Sequence, residues 1–212
     1  MVFKNYENKK KGVLRYLRKN NLVIFIFFAL VFFYTLSCGN RYLPKPKGYN
    51  KITLPKHDYY LINDSFPFSF EVSKMAEVKK SSIFKNEPYW VDLLYNDYGA
   101  QINITYKEVK SSKNNLSEFI NDTYKLINKH QIKASAIKET IIQTPSNKKA
   151  TIIELSGEVP TQFQFHITDS NKHFLRGALY FNTATKNDSL APVIDYIKVD
   201  IIHLINSLKW NE

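Results

Sequence analysis

Fifteen residues near the start of this chain limit what it can become more than any others. From Leu22 to Leu36 the sequence is apolar almost throughout, and seven basic residues precede it within positions 1–20 (Lys4, Lys9, Lys10, Lys11, Arg15, Arg18 and Lys19) against Glu7 alone. A helix of that length rises only about 22 Å, short of the ~30 Å hydrocarbon core of a bilayer. A basic stretch followed by a short apolar one is the pattern of an export signal. Residues 1–37 therefore read as a leader. An uncleaved N-terminal membrane anchor is the alternative, and the length disfavours it.

The same leader accounts for much of the charge. The formal net charge is +11, but residues 1–20 hold seven of the 30 Lys and Arg and one of the 19 acidic residues. Behind them 23 basic and 18 acidic side chains are interspersed. A surface that tracks phosphates clusters its Lys and Arg on one face, so no nucleic-acid partner is expected. The single cysteine, Cys38, follows the apolar run directly and cannot form an internal disulfide. Stability must come from the core, to which 15 Phe and 14 Tyr can contribute.

Leu36-Ser37-Cys38-Gly39 resembles the lipobox of bacterial lipoproteins, in which the Cys becomes the lipidated N-terminus. Thr35 stands where that pattern prefers Leu. The resemblance implies that Cys38 carries fatty acyl chains, palmitate among them, which hold the protein on a membrane. Residues 38–50, with Pro44, Pro46 and Gly48, read as an extended tether. Surface-exported lipoproteins of Bacteroidetes carry acidic residues just behind the Cys, and this stretch has none. By that resemblance the domain, residues 51–212, faces the periplasm.

Within that domain, residues 66–72 alternate aromatic and other side chains as a half-buried strand does. Pro67 lacks a ladder donor, which predicts an edge position. Residues 89–95 read as a more central strand, and residues 100–106 as one with Ile102, Ile104 and Tyr106 on a single face. The period then becomes helical. Leu116, Phe119, Ile120, Thr123 and Ile127 mark one buried face of a helix over 116–130, with Asn115 and Glu118 as a capping box.

Four more strands are expected near 135–142, 150–155, 161–167 and 173–181. A last helix carries the stripe Ile194, Ile197, Ile201, Leu204, Ile205 and Leu208, with Pro192 in its first turn. Asp188 or Ser189 would cap it. Asp188-Ser189-Leu190 also matches a short O-glycosylation pattern of Bacteroidetes, for which capping is the simpler reading. Short links between consecutive strands mean antiparallel pairing. The expected fold is α+β, one largely antiparallel sheet of six to seven strands covered by two helices. This element order resembles that of the PsbP/Mog1-type fold.

Chemistry concentrates in residues 162–181. A five-residue connection at 168–172 would set Gln164 opposite Arg176, Ile167 opposite His173 and Gly177 opposite Phe163. Gln162, Gln164, His166 and Arg176 would then share the less apolar face. Asp169, Ser170, His166 and His173 supply the residue types of a hydrolytic triad, but Ser170 falls in a polar hairpin tip with no G-x-S-x-G context. Turn chemistry accounts for Asp169 and Ser170 without a reaction. No metal is expected, because His57, His130, His166, His173 and His203 show no ligand spacing. Nor is a cofactor. Arg176 is the unusual residue, an internal tie to Gln164 or a ligand clamp.

Residues 42–49 (YLPKPKGY), 130–134 (HQIKA), 162–165 (QFQF), 173–181 (HFLRGALYF) and 188–193 (DSLAPV) together resemble the GldD family of gliding-motility lipoproteins of Bacteroidetes. The resemblance implies a non-enzymatic accessory of the gliding apparatus and the linked type IX secretion system. It would assemble or stabilise other envelope lipoproteins, with GldJ as a candidate partner. A small-ligand or peptidoglycan-binding module is the alternative, and a concave pocket lined by Arg176 and His166 would favour it.

Overall fold

The computed structural model describes residues 25–27, 52–62, 66–81, 87–109, 115–182 and 187–211. The chain divides into two compact units, 1–48 and 49–212. In the first, residues 25–27 are helical. Cys38 and the tether through residue 50 lie outside the described residues, as does most of the leader. Among the described residues no helix is long and apolar enough to cross a membrane.

In the second unit the chain runs β1 (Tyr59–Ile62), β2 (Phe68–Ser73), β3 (Glu77–Lys80), β4 (Val91–Tyr95), a 3-10 turn (Asn96–Tyr98) and β5 (Ala100–Glu108). Helix α1 (Leu116–Gln131) is followed by β6 (Ala134–Gln143), β7 (Lys149–Gly157), β8 (Phe163–Thr168) and β9 (His173–Phe181). Helix α2 (Asn187–Ser207) and β10 (Lys209–Trp210) end it. Seven strands form an antiparallel sheet in the order β3-β4-β5-β9-β8-β7-β6, and β1-β2-β10 form a separate small one. The expected α+β class and its largely antiparallel pairing hold. What differs is that β2 does not join the large sheet.

Nor is β2 an edge strand. It pairs with β1 on one side and β10 on the other. Pro67 precedes the strand, and its carbonyl accepts from the Asn211 N–H at 3.0 Å. The missing donor thus falls just before the ladder, where it costs nothing.

The alternation in β5 and β9 directs Ile102, Ile104, Leu175, Leu179 and Phe181 to one face of the large sheet, all buried. That face meets β2 and α2. Phe68 reaches Tyr106 with ring centroids 5.6 Å apart, and Ile197, Ile201, Leu204 and Ile205 of α2 are buried in the same cluster. The helix begins a turn earlier than expected, so Pro192 sits inside it and one backbone bond of its ladder is lost. Asp188 and Ser189 accordingly lie in the first turn instead of ahead of it.

The opposite face of the sheet is only partly covered. Ile127 of α1 packs with Ile153, Leu155 and Val159 in a second, smaller cluster. The expected inner face of α1 is the observed one, with Thr123 and Ile127 fully buried. The capping box does not form: Asn115 makes no side-chain cap bond. Its carbonyl instead accepts from Phe119 N–H at 3.1 Å.

Candidate functional site

The 163–181 hairpin crosses the middle of the large sheet, so its two faces look into different surroundings. His166 lies directly opposite Arg176, Phe165 opposite Gly177 and Ile167 opposite Leu175. The expected register is therefore corrected by two residues. The tip explains the shift. Asp169 Oδ1 accepts from the N–H groups of Asn171, Lys172 and His173 at 3.0, 2.9 and 2.9 Å. Ser170 takes the left-handed φ of 67°, and Thr168 Oγ1 donates to the His173 carbonyl at 2.6 Å. Thr168 thus stays in the strand and closes the ladder against Phe174. A slip of two keeps every side chain on its expected face.

One face carries the buried polar row. The guanidinium of Arg176 donates through Nη2 to Gln164 Oε1 at 2.6 Å, and both residues are buried. Ordinarily a buried charge is paired with its opposite. His166 packs on Phe174 and Tyr124, with ring centroids 5.7 and 6.4 Å apart. Burial, and after it the neighbouring Arg176 charge, holds its imidazole below the usual histidine range, against an opposing pull from Glu139.

The remaining expected members go elsewhere. Gln162 is buried ahead of β8 and donates to the Val159 carbonyl at 2.8 Å, bracing that connection. His173 points to the core face, where its Nδ1 meets the Tyr106 hydroxyl at 2.7 Å and its ring stacks on Trp210 at 4.8 Å. Asp169 stays at the tip. Burial pulls its carboxyl upward, yet the three backbone donors hold it below the usual carboxylate range. The Ser-His-Asp types are thus spread over the tip and two faces.

Between α1 and the uncovered strands lies a groove of about 430 Å³. Its floor includes Asn103, Thr105 and Arg176, its helix wall Phe119, Asp122, Thr123 and Leu126, and its far side Trp90 and Asp92. This is a concave site lined by Arg176, though His166 is not part of the lining. Among the described residues no group of three or more His, Cys, Asp or Glu could hold a metal.

A second constellation escaped the sequence reading. Asp200 of α2 is 4% exposed. It accepts from the Tyr59 and Tyr95 hydroxyls, each at 3.0 Å, and meets His57 Nδ1 at 2.7 Å. His57 stacks on Tyr196 at 4.2 Å and Tyr59 on His203 at 3.6 Å, while His203 Nε2 pairs with Glu71 at 2.5 Å. Burial first, then the Asp200 charge, pushes the Tyr59 and Tyr95 hydroxyls well above the ordinary tyrosine value. The available signal was an acid falling three residues after Ile197 and four before Leu204, on the apolar stripe itself.

The profile of the family described as "Gliding motility lipoprotein GldD" matches residues 39–210. The chain belongs to the GldD family. That membership makes it a gliding-motility lipoprotein and assigns it, at that level, to the lipid-anchored proteins of the cell envelope. The match begins one residue after Cys38 and spans all of the strands and helices of the second unit. No curated protein matches the chain. Among solved structures, the GldD-family chain is similar to cyanobacterial PsbP (CyanoP) from Synechocystis, at 8% identity and a TM-score of 0.43, covering 75% of this chain and 95% of that one.

Proposed function

We propose that this protein is an outer-membrane-anchored, periplasm-facing accessory of the gliding and type IX secretion apparatus, acting without catalysis to assemble or stabilise its envelope partners. The observation that carries the reading is the family match over residues 39–210, which starts immediately behind the candidate lipidation site. The orientation is supported by the lack of any acidic residue in 39–48. The non-catalytic role is supported by the hairpin tip, whose Asp169 carboxylate is engaged with three backbone N–H groups.

Affinity capture of the intact protein from membranes tests the proposal. Other gliding or secretion lipoproteins, GldJ among them, are expected to co-purify, and their steady-state levels are expected to fall when the gene is deleted. Fatty-acid labelling of the wild type but not of Cys38→Ala, and protease resistance in intact cells, are expected alongside. Capture of no envelope partner, with normal levels of the others, would remove the assembly reading.

A further inference from the structure

In the groove beside α1 lies a buried charge that forms no ion pair among the described residues. Arg176 is 8% exposed, and its guanidinium cannot shed its proton. The side chain donates to the neutral amide of Gln164. Its Nε–H has no hydrogen-bond partner among the described residues. Two of the other charged side chains on the groove wall are in ion pairs. Lys107 pairs with Glu87 and Asp122 with Lys125 at 2.9 Å, whereas Asp92, on the far side, has a hydrogen bond from the neutral Ser81. A buried cation lacking an anion is costly to the fold, and the planar fork of Arg suits a carboxylate in two parallel bonds.

The floor around Arg176 extends the pattern. Gln164 Nε2 and Asn103 Oδ1 are buried without partners on this same face. Ala178 lies between them in the strand register. Trp90, Phe119 and Leu126 make the walls apolar. The volume of about 430 Å³ falls in the range of small-molecule sites. We infer that this groove binds an apolar, ring-sized group that ends in a carboxylate. The carboxylate sits on Arg176, and the body lies against Trp90 and Phe119. Such a group is either a free organic acid or the C-terminal residue of a peptide. The inference stands independently of the accessory role.

The test uses the full chain in nanodiscs with 5-fluorotryptophan at its two tryptophans, read by fluorine NMR. Trp90 lines the groove, whereas Trp210 stacks on His173 on the other face, and Trp210→Phe assigns the two signals. Titration with 3-phenylpropionate is expected to move the Trp90 signal saturably and leave Trp210 in place. The neutral 3-phenylpropanol should bind about tenfold more weakly. Arg176→Gln should erase that preference. Leu126→Glu, at a half-exposed helix position that tolerates polar groups, should weaken the acid by about tenfold with unchanged melting. It keeps the test decisive if Arg176→Gln fails to fold. A Gly-Gly-Phe peptide compared with its C-terminal amide distinguishes the sources: tighter binding of the free-carboxylate peptide than of 3-phenylpropionate points to a chain terminus, the reverse to a free acid. If neither carboxylate moves Trp90 at millimolar concentration, or the alcohol binds as well as the acid, the inference is wrong.

Discussion

At Gly177 a methyl group would sit 2.2 Å from Phe165 Cε1 and 2.4 Å from Cζ, inside any tolerable contact. The ring itself is fully buried in the main cluster and has nowhere to retreat. Gly177→Ala is therefore expected to destabilise the domain by about 1–3 kcal/mol through overpacking. Phe165→Ala alone should cost about 3–5 kcal/mol. The double variant should lose less than the two together, which urea unfolding of the four chains would show. The sequence sets Gly177 opposite a phenylalanine, as observed, but the spacing picks out Phe163 where the register selects Phe165. Alternation settles which face a side chain takes, and a two-residue slip leaves that unchanged. Register was set by the bonds of Asp169 and Thr168 at the tip, which periodicity does not carry. The surroundings of Asp200 were illegible for another reason. Its partners His57 and Tyr95 lie 143 and 105 positions away, beyond any local pattern.

Helix α1 and strands β5 and β9 followed the expected bounds closely, because each buries one face and repeats its period over several turns or residues. The small sheet did not. Its last strand is two residues long, too short for periodicity, and its existence depends on contacts with β2. Asn211 fastens it further, donating through Nδ2 to the Phe66 carbonyl at 3.0 Å. Ending the chain after Leu208 should thus remove the outer neighbour of β2, the Asn211 bonds and the Trp210–His173 stack. With each hydrogen bond worth about 1 kcal/mol and the stack a similar amount, a loss of roughly 2–4 kcal/mol is expected. Thermal melting of the truncated chain would measure it. A melting temperature equal to that of the full chain would mean that β10 is an incidental pairing.

The tyrosines around Asp200 tie the stability of the whole domain to alkaline pH. Their hydroxyls are raised above the ordinary value of 10.0 in the folded chain, so unfolded chains release those protons first. The sign follows from linkage: stability is at its full value below pH 10 and declines as pH climbs from there toward the folded values. Tyr95→Phe should flatten that decline, at the cost of one buried hydrogen bond at neutral pH. Urea midpoints measured from pH 8 to 11 would show both effects. An alkaline limb of equal slope in the variant would assign the sensitivity to other groups.

The brace between His57, Tyr59 and Asp200 also bears on how the protein arrives at its destination. A chain threaded through a membrane from its N-terminus presents β1 and β2 first, yet α2, which buries them, follows only after the whole large sheet. Until α2 emerges, Phe68 and Phe70 have no lid, and the hydroxyl of Tyr59 has no acceptor in Asp200. Contacts of such sequence separation are slow to form and late to reward the chain. A version arrested before Asp200 is expected to remain open to protease along its whole length, and one released at residue 212 to become resistant in a single cooperative step. Under the proposed export, the chain would cross unfolded, with closure postponed until Asp200 has crossed.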